Sequence, residues 1–122
     1  MTSPKKKIVL LDDSDLIRDL VRETLEEHGY DVVDTNTPFG FSNLLRREKP
    51  DLALLDVTMP TLRGDKLAEI AIQHGIACPI VLFSDRPAAE LDAMAKAVKA
   101  AGYIRKTGDM DEVVRSVQRF LK

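Results

Sequence analysis

The sequence has few of the residues that build covalent or aromatic scaffolds. Of its 122 residues one is a cysteine, none is a tryptophan, and aromatic residues make up 5%. The single cysteine, Cys78, excludes an internal disulfide and argues against a metal site built from thiols. Because Cys78 leads into an apolar run, we expect it to be a small buried thiol.

Long apolar runs are absent as well. No segment approaches transmembrane length, and the basic start MTSPKKK is not followed by an apolar stretch that could act as a signal peptide. We therefore expect a cytoplasmic protein without membrane contact. The formal net charge is -2, so neither sign dominates and nothing in the composition points to direct nucleic-acid binding.

The remaining composition is that of a globular protein. Hydrophobic residues account for 44% of the chain and charged residues for 31%. A chain of 122 residues is long enough to bury one ordinary core. We therefore expect one domain over residues 1–122, with no output domain in this chain.

Five short apolar runs predict β-strands. Three of them, the first, third and fourth, are almost continuously hydrophobic, as is typical of parallel strands covered on both faces. The five runs are KIVLL (7–11), DVVD (31–34), LALL (52–55), PIVLF (79–83) and GYIRK (102–106).

Segments with helical periodicity separate these runs. Ser14 is the expected N-cap of the first helix, and Thr37-Pro38 is the expected cap and first position of the second. Asp109 and Glu112 resemble a capping box before the fifth helix. The third helix is indicated by Leu67, Ile70 and Ala71, and the fourth by the alanine-rich residues 88–100.

Strict alternation of strand and helix predicts an α/β fold. One parallel five-stranded sheet, doubly wound with helices on both faces, is the expected architecture. In such sheets a ligand binds at the carboxyl ends of the strands, beside the point where the strand order reverses. Residues that follow the strands are therefore the candidates for a functional site.

Charged and polar residues follow four of the five predicted strands, and the sheet should bring them to one cleft. Clustered carboxylates repel one another unless a cation joins them, and an all-oxygen set suits Mg²⁺. A hard cation with a hydroxyl and an ammonium group is suited to holding a phosphoryl group. The residues concerned are Asp12 and Asp13, Asp56, Ser84 and Asp85, and Arg105 and Lys106.

The stretch LALLDVTMP places Asp56 directly after a buried strand. A buried, unpaired carboxylate costs free energy, so either water reaches Asp56 or something binds it. Asp56 can also act as a nucleophile, because aspartyl phosphate is an established covalent intermediate. What binds Asp56 is left open by these residues alone.

These residues resemble the receiver domains of two-component response regulators. The resemblance covers essentially the whole chain, in the order and with the spacing of that family. It implies a flavodoxin-like (βα)5 fold with strand order 2-1-3-4-5. The matching stretches are LLDDS (10–14), LLDVTMPTLRG (54–64), VLFSD (81–85) and GYIRK (102–106).

The resemblance implies a role for each acidic residue. Asp56 would accept a phosphoryl group from a sensor histidine kinase or a phosphotransfer protein. Asp12, Asp13, Asp56 and the backbone carbonyl of Thr58 would hold Mg²⁺. Such a domain is not an enzyme toward other substrates, because it catalyses only its own phosphorylation and dephosphorylation.

The resemblance also implies a catalytic pair and a switch. Ser84 and Lys106 would contact the phosphoryl oxygens, and movement of Ser84 would let the aromatic residue Tyr103 rotate. The surface formed by the fourth helix, fifth strand and fifth helix would then change shape and control a downstream effector protein.

Two positions depart from the family pattern. Thr107 stands where a proline, often with a cis bond, usually follows the lysine. Because a cis bond before a non-proline residue costs about 2.5–4 kcal/mol, we expect a trans bond. Asp85 stands where a small residue is common. It either adds a carboxylate to the cleft or points outward and pairs with Arg86.

Other functions of similar folds fit this sequence less well. A haloacid-dehalogenase-like hydrolase needs D-x-D after its first strand, whereas DVT follows the third strand here. A flavin carrier needs a phosphate loop where DDSD would repel phosphate. The serious alternative is a phosphorylation-independent pseudo-receiver that acts as a protein-binding module. Whether the domain is free-standing or belongs to a larger regulator stays open.

Overall fold

The fold alternates strand and helix along the whole of the chain that the computed structural model describes, residues 5–60 and 62–121. The first residues of the basic segment MTSPKKK lie outside these ranges. The elements are β1 (Lys7–Leu11), α1 (Asp15–Glu27), β2 (Asp31–Thr35), α2 (Phe41–Glu48), β3 (Leu52–Asp56), α3 (Gly64–Gln73), β4 (Ile80–Ser84), α4 (Ala88–Val98), β5 (Gly102–Arg105) and α5 (Met110–Phe120).

The five strands form one parallel sheet in the order β2-β1-β3-β4-β5, which confirms the predicted doubly wound, flavodoxin-like topology. The strand order reverses at β1, so that β1 pairs with β2 on one side and with β3 on the other. The register places Leu11 opposite Leu55 and Asp56 opposite Phe83. The carboxyl ends of β1, β3 and β4 therefore meet at one edge of the sheet.

The core has two layers, one on each face of the sheet. One layer packs against α2, α3 and α4 and contains Leu11, Leu55 and Leu82. The other packs against α1 and α5 and contains Leu10 and Leu54. Alternate residues of the central strands enter opposite layers, which explains why these strands are hydrophobic at nearly every position.

Helix starts follow capping chemistry, with one correction. Ser14 caps α1 as predicted, its hydroxyl oxygen accepting the Ile17 N–H at 3.3 Å. The prediction for α2 is wrong, because this helix begins at Phe41 after Gly40, whose φ is 71°. The Thr37 hydroxyl instead accepts the Phe39 N–H at 3.2 Å, which makes a local turn that competes with helix formation.

The other differences at the element ends are small. Asp109 caps α5 by accepting the Glu112 N–H at 3.3 Å. The reciprocal half of the predicted capping box is missing, because the Asp109 N–H donates to Thr107 Oγ1 at 3.2 Å. Helix α4 ends at Val98 because Lys99 adopts a left-handed conformation with φ of 64°. Cys78 is half-buried rather than buried.

No helix in the described ranges combines the length and the apolar character that are needed to cross a bilayer. This finding agrees with the absence of long apolar runs in the sequence.

Gly64 allows the loop after β3 to fold back onto the strand end. The Gly64 N–H donates to the Val57 carbonyl at 3.1 Å. A Cβ at this position would overlap the backbone carbonyl of Asp56. A residue with any side chain would therefore push α3 away from the end of β3, where Asp56 stands.

Gly64→Ala should lower the free energy of unfolding by about 2 kcal/mol, because the added methyl group overpacks a backbone contact. Helix propensity alone predicts the opposite sign, since alanine is favoured over glycine in a helix by up to about 1 kcal/mol. Urea denaturation measures the difference. Gly75→Ala is the comparison for backbone strain without overlap: its φ of 78° should cost alanine about 1 kcal/mol, although no atom lies within 4 Å of an added Cβ. A Gly64→Ala protein as stable as the wild type would show that α3 tolerates the displacement.

Candidate functional site

Three carboxylates converge at the carboxyl edge of the sheet. Asp12 follows β1 directly, Asp13 is the next residue, and Asp56 is the last residue of β3. Each offers an oxygen, and these oxygens all lie within 4.8 Å of one another. Asp12 and Asp56 are buried, whereas Asp13 is exposed. The structure therefore brings together the three aspartates that were expected to hold a cation, whereas Asp85 is not part of this cluster.

Lys106 reaches this cluster from the loop after β5. Its Nζ lies 2.8 Å from Asp12 Oδ2 and 3.1 Å from Asp56 Oδ1. The same ammonium lies 5.1 Å from the centre of the Phe83 ring, within range of a cation–π contact. The Lys106 N–H donates to the Ser84 carbonyl at 2.8 Å, which continues the pairing of β4 with β5.

The ammonium group stays charged although it is largely enclosed. Burial by itself lowers the pKa of Lys106, but its close ion-pair interactions with Asp12 and Asp56 outweigh that effect and raise the pKa overall. The site therefore holds one fixed positive charge among three carboxylates.

Asp56 is the most perturbed carboxylate of the cluster. Burial raises its pKa to about 6, an effect that Lys106 opposes and that the nearby Asp12 reinforces. The Thr58 N–H donates to Asp56 Oδ1 at 3.1 Å and favours the ionised form. The carboxylate thus sits where a negative charge is poorly solvated, the situation in which a further cation is most favourable.

The donor set fits a hard divalent cation. Asp12 Oδ2 is buried and accepts no hydrogen bond within the described ranges, since the nearby Lys106 ammonium approaches without hydrogen-bonding geometry. Three carboxylates and one ammonium leave an excess of negative charge, and all of the available ligand atoms are oxygens. Cations of this class, Mg²⁺ among them, prefer such oxygen ligands.

Ser84 lies beside the cluster, as the last residue of β4, and it is buried. Its Oγ accepts the Arg86 N–H at 3.1 Å, which leaves the hydroxyl proton for a further acceptor. Tyr103 lies on the neighbouring strand, opposite Leu82, and packs half-buried against the layer under α2, α3 and α4. Ser84 and Tyr103 therefore lie on adjacent strands, and Tyr103 pairs with the residue two positions before Ser84.

The two departures from the family pattern can be placed as well. The peptide bond before Thr107 is trans, because none of the described peptide bonds is cis. Arg86 pairs with Glu90 at 2.6 Å rather than with Asp85, so the predicted alternative of an Asp85–Arg86 pair is not formed. Asp85 is exposed and lines a cleft of about 470 Å³ together with Lys106 and Thr107.

Two residues that shape the site were missed by the sequence reasoning. Gly64 packs on the Asp56 carbonyl, and the Nη1 of Arg18 donates to the Asp12 carbonyl at 2.9 Å. Gly64 ends the stretch LLDVTMPTLRG (54–64), which resembles receiver domains. A glycine soon after a strand-terminal aspartate was the sequence feature that could have indicated its role. Arg18 gives no local indication, because its contact with Asp34 on β2 depends on the packing of α1 against the sheet.

Comparisons with known proteins agree with this geometry. Residues 8–118 match the family model of the response regulator receiver domain. The transcriptional regulatory protein YxdJ of Bacillus subtilis is 32% identical over 114 residues, which cover 92% of this chain and 48% of that protein. The alkaline phosphatase synthesis regulatory protein PhoP of the same organism is 29% identical, over 96% of this chain and 49% of that protein.

Solved structures show the same fold. Chemotaxis protein CheY4 of Vibrio cholerae superposes with a TM-score of 0.88 at 25% sequence identity. The match covers 97% of this chain and 100% of that protein's chain. The BeF3-activated receiver domain of RstA from Klebsiella pneumoniae has a TM-score of 0.86 and 27% identity, covering 96% of this chain and 99% of that one.

A five-stranded doubly wound sheet with an acidic cluster at its carboxyl edge defines a signalling domain of the two-component class. This chain belongs to the response regulator receiver domain family. It spans about half the length of the first two curated relatives, 48% and 49%.

In metal-free buffer, Asp56→Asn should raise the free energy of unfolding by about 3 kcal/mol at pH 7.5. The pKa of Asp56 is about 6 in the folded chain against 3.8 ordinarily. Between these values the folded state binds more protons than the unfolded state. The free energy of unfolding of the wild type therefore falls as the pH rises from 3.8 to about 6 and is level above that. The Asp56→Asn protein lacks this pH dependence, because asparagine does not titrate.

Urea denaturation in the presence of a chelator, at pH 4.5, 6 and 7.5, tests this expectation. The advantage of Asp56→Asn should be smallest at the lowest pH. Asp31→Asn, at an exposed position of β2, controls for the loss of one negative charge. An advantage of equal size at all three pH values would contradict burial of the Asp56 carboxylate as its cause.

Proposed function

We propose that this domain accepts a phosphoryl group on Asp56, from a sensor histidine kinase or a phosphotransfer protein, in a Mg²⁺-dependent reaction. The observation that carries the proposal is the convergence of three carboxylates within 4.8 Å, with the Lys106 ammonium 3.1 Å from Asp56 Oδ1. This arrangement supplies a nucleophile, a set of cation ligands and a positive charge for the incoming phosphoryl oxygens.

The reaction is a displacement at phosphorus. One carboxylate oxygen of Asp56 attacks the phosphorus atom, a P–O bond forms, and the P–N bond to the donor's imidazole breaks with its electron pair retained on nitrogen. With a pKa of about 6, Asp56 is mostly ionised at neutral pH and can attack without a general base. The Lys106 ammonium compensates charge that develops on the phosphoryl oxygens.

Asp12, Asp13, Asp56 and the Thr58 carbonyl are the residues that would hold Mg²⁺. When bound, this ion supplies further neutralisation of the phosphoryl oxygens. The chain's own residues orient the group: Lys106 binds one oxygen, and the Ser84 hydroxyl proton is available for another. The domain acts on no other substrate, and it catalyses only its own phosphorylation and dephosphorylation.

The donor would reach Asp56 over the start of α1. Leu16 is 76% exposed and Leu20 is 41% exposed, which is unusual for large apolar side chains in this chain. Leu20 lines the same cleft as Lys106 and Asp85. Exposed apolar side chains around such a cleft are typical of protein–protein contacts, and they support a protein rather than a small molecule as the physiological donor.

The proposed output is a change of the surface formed by α4, β5 and α5. A phosphoryl group on Asp56 adds acceptor oxygens toward which Ser84 can move, and the space it leaves can admit Tyr103 from the neighbouring strand. The exposed residues of this surface include Lys96, Lys99, Arg115 and Arg119. A downstream effector protein in the cytoplasm would read the change, without nucleic-acid or membrane contact by this domain.

Phosphorylation need only favour the active arrangement over the resting one. A population shift from 1:99 to 99:1 takes about 5.5 kcal/mol of differential stabilisation, and a smaller shift still transmits a signal. Several charge-assisted hydrogen bonds, each worth about 1.5–3 kcal/mol, supply energy of this order.

A second candidate is a pseudo-receiver that binds a partner without phosphorylation. The observation in its favour is Asp85, an exposed acidic residue that lines a cleft together with Lys106 and adds a negative charge that would oppose a phosphoryl group. The experiment below separates the two candidates directly.

Incubation with acetyl phosphate should add the mass of one phosphoryl group to the wild type in the presence of Mg²⁺ and not with a chelator. Asp56→Asn should remain unlabelled, because it lacks the nucleophilic carboxylate. Intact-mass spectrometry provides the measurement. Asp51→Asn is the matched control, since Asp51 directly precedes β3 at the opposite edge of the sheet and accepts the Lys7 N–H at 2.8 Å. Equal labelling of wild type and Asp56→Asn, or no labelling of either, would refute the proposal.

Ser84→Ala should still be labelled on Asp56 while losing most of the conformational response. The readout is the change in backbone amide NMR shifts of residues 96–106 on adding beryllofluoride, a phosphoryl mimic, with Mg²⁺. The loss is expected because alanine cannot donate a hydrogen bond to the mimic. Ser42→Ala on α2 is the control and should respond as the wild type does. A full wild-type response around Tyr103 in Ser84→Ala would show that the signal takes another route.

A further inference from the structure

The guanidinium group of Arg18 joins three parts of the chain behind the acidic cluster. Its Nε donates to Asp34 Oδ2 on β2 at 2.9 Å, and its Nη2 donates to Asp15 Oδ1 on α1 at 2.7 Å. Its Nη1 donates to the main-chain carbonyl of Asp12 at 2.9 Å. The Arg18 side chain is only 14% exposed, so its bonds to Asp34 and to the Asp12 carbonyl are partly shielded from water, whereas the bond to the exposed Asp15 is not.

The bond to the Asp12 carbonyl acts on the geometry of the site. This carbonyl belongs to the planar peptide unit that links Asp12 to Asp13, so holding its oxygen fixes the rotation of that unit. The rotation in turn sets the direction in which the Asp13 side chain leaves the backbone. Asp13 is exposed, so its place in the cluster depends on the backbone that carries it.

The other polar atoms of Asp12 are held independently. Its N–H donates to the Thr35 carbonyl at 3.2 Å, and its Oδ1 accepts the Ser14 N–H at 2.9 Å. The Ser14 bond spans Asp13 from the Asp12 side chain, whereas Arg18 contributes the one hydrogen bond within the described ranges that acts on the Asp12 carbonyl oxygen itself.

We propose that Arg18 is a positioning residue for the cation site, which holds the Asp12–Asp13 peptide unit so that both carboxylates face Asp56. The inference rests on the proposed function, because it assigns to Arg18 a role toward the Mg²⁺ ligands. Arg18 touches neither the ion nor the phosphoryl group and acts through the backbone of Asp12. Residues that orient metal ligands in this way typically change metal affinity about 10–100-fold when they are replaced.

Simple electrostatics predicts the opposite result. Removing a positive charge close to a cation site makes the site more negative and should strengthen cation binding. A purely structural role, in turn, predicts lower stability with unchanged affinity. The direction in which the Mg²⁺ affinity changes therefore distinguishes positioning from both of these explanations.

Arg22 provides a matched control on the same helix. Its Nη1 donates to Asp34 Oδ1 at 3.1 Å, and its Nη2 donates to Asp19 Oδ1 at 3.2 Å. Replacing Arg22 removes the same charge and an ion pair with the same Asp34, but it leaves the Asp12 carbonyl bond in place.

The experiment is a Mg²⁺ titration of the full chain, followed through the backbone amide NMR shifts of Asp12, Asp13 and Asp56. Arg18→Gln should weaken Mg²⁺ binding by about tenfold or more, whereas Arg22→Gln should stay within about twofold of the wild type. Arg18→Lys keeps the charge but loses the planar fork whose three nitrogens reach Asp34, Asp15 and the Asp12 carbonyl separately, so it should also weaken binding. It serves as the readout if Arg18→Gln does not fold.

The outcomes separate this inference from the proposed function. A wild-type protein whose Asp12, Asp13 and Asp56 amides do not respond to Mg²⁺ overturns both. A wild type that binds Mg²⁺, with Arg18 variants that bind it equally well or more tightly, overturns the role of Arg18 alone. Equal weakening in the Arg18 and Arg22 variants also overturns it, because the effect would then come from the Asp34 ion pairs.

Discussion

The mutual repulsion of three carboxylates at one edge of the sheet is the constraint on which the rest of this structure depends. Asp12, Asp13 and Asp56 lie close enough to share a cation, and two of them are buried. Like charges in such a place destabilise the fold unless a positive charge offsets them. Lys106 offsets part of the repulsion, and the hydrophobic strands behind the site keep the carboxylates from moving apart.

The same unfavourable placement makes the site chemically useful. An aspartate with a pKa raised by burial, next to an ammonium and two further carboxylates, gains from any ligand that brings positive charge or hydrogen-bond donors. The two buried core layers, one on each face of the sheet, stabilise the fold and so offset the energetic cost of the clustered carboxylates. The core therefore stabilises the fold while the strand ends hold the unfavourable charges, a separation that is common at functional sites.

Positioning comes from residues that carry no chemistry of their own. Gly64 lets the loop after β3 close against the Asp56 carbonyl, and Arg18 holds the carbonyl of Asp12 from behind. Both act on the backbone of an aspartate and not on its carboxylate. Family membership and fold account for the three carboxylates of the cluster, whereas these backbone contacts account for its geometry.

The sequence by itself determined the alternation of strands and helices, the burial of β1, β3 and β4, and the set of residues at the strand ends. Hydrophobic periodicity and strand-terminal charges are local properties, so they can be read along the chain. Only the tertiary structure decided that α2 begins at Phe41, that Arg86 pairs with Glu90 and leaves Asp85 at the cleft, and that Arg18 reaches the Asp12 carbonyl. These features depend on competition among nearby hydrogen-bond partners, or on contacts between elements distant in sequence, and packing selects one outcome where the local sequence permits several.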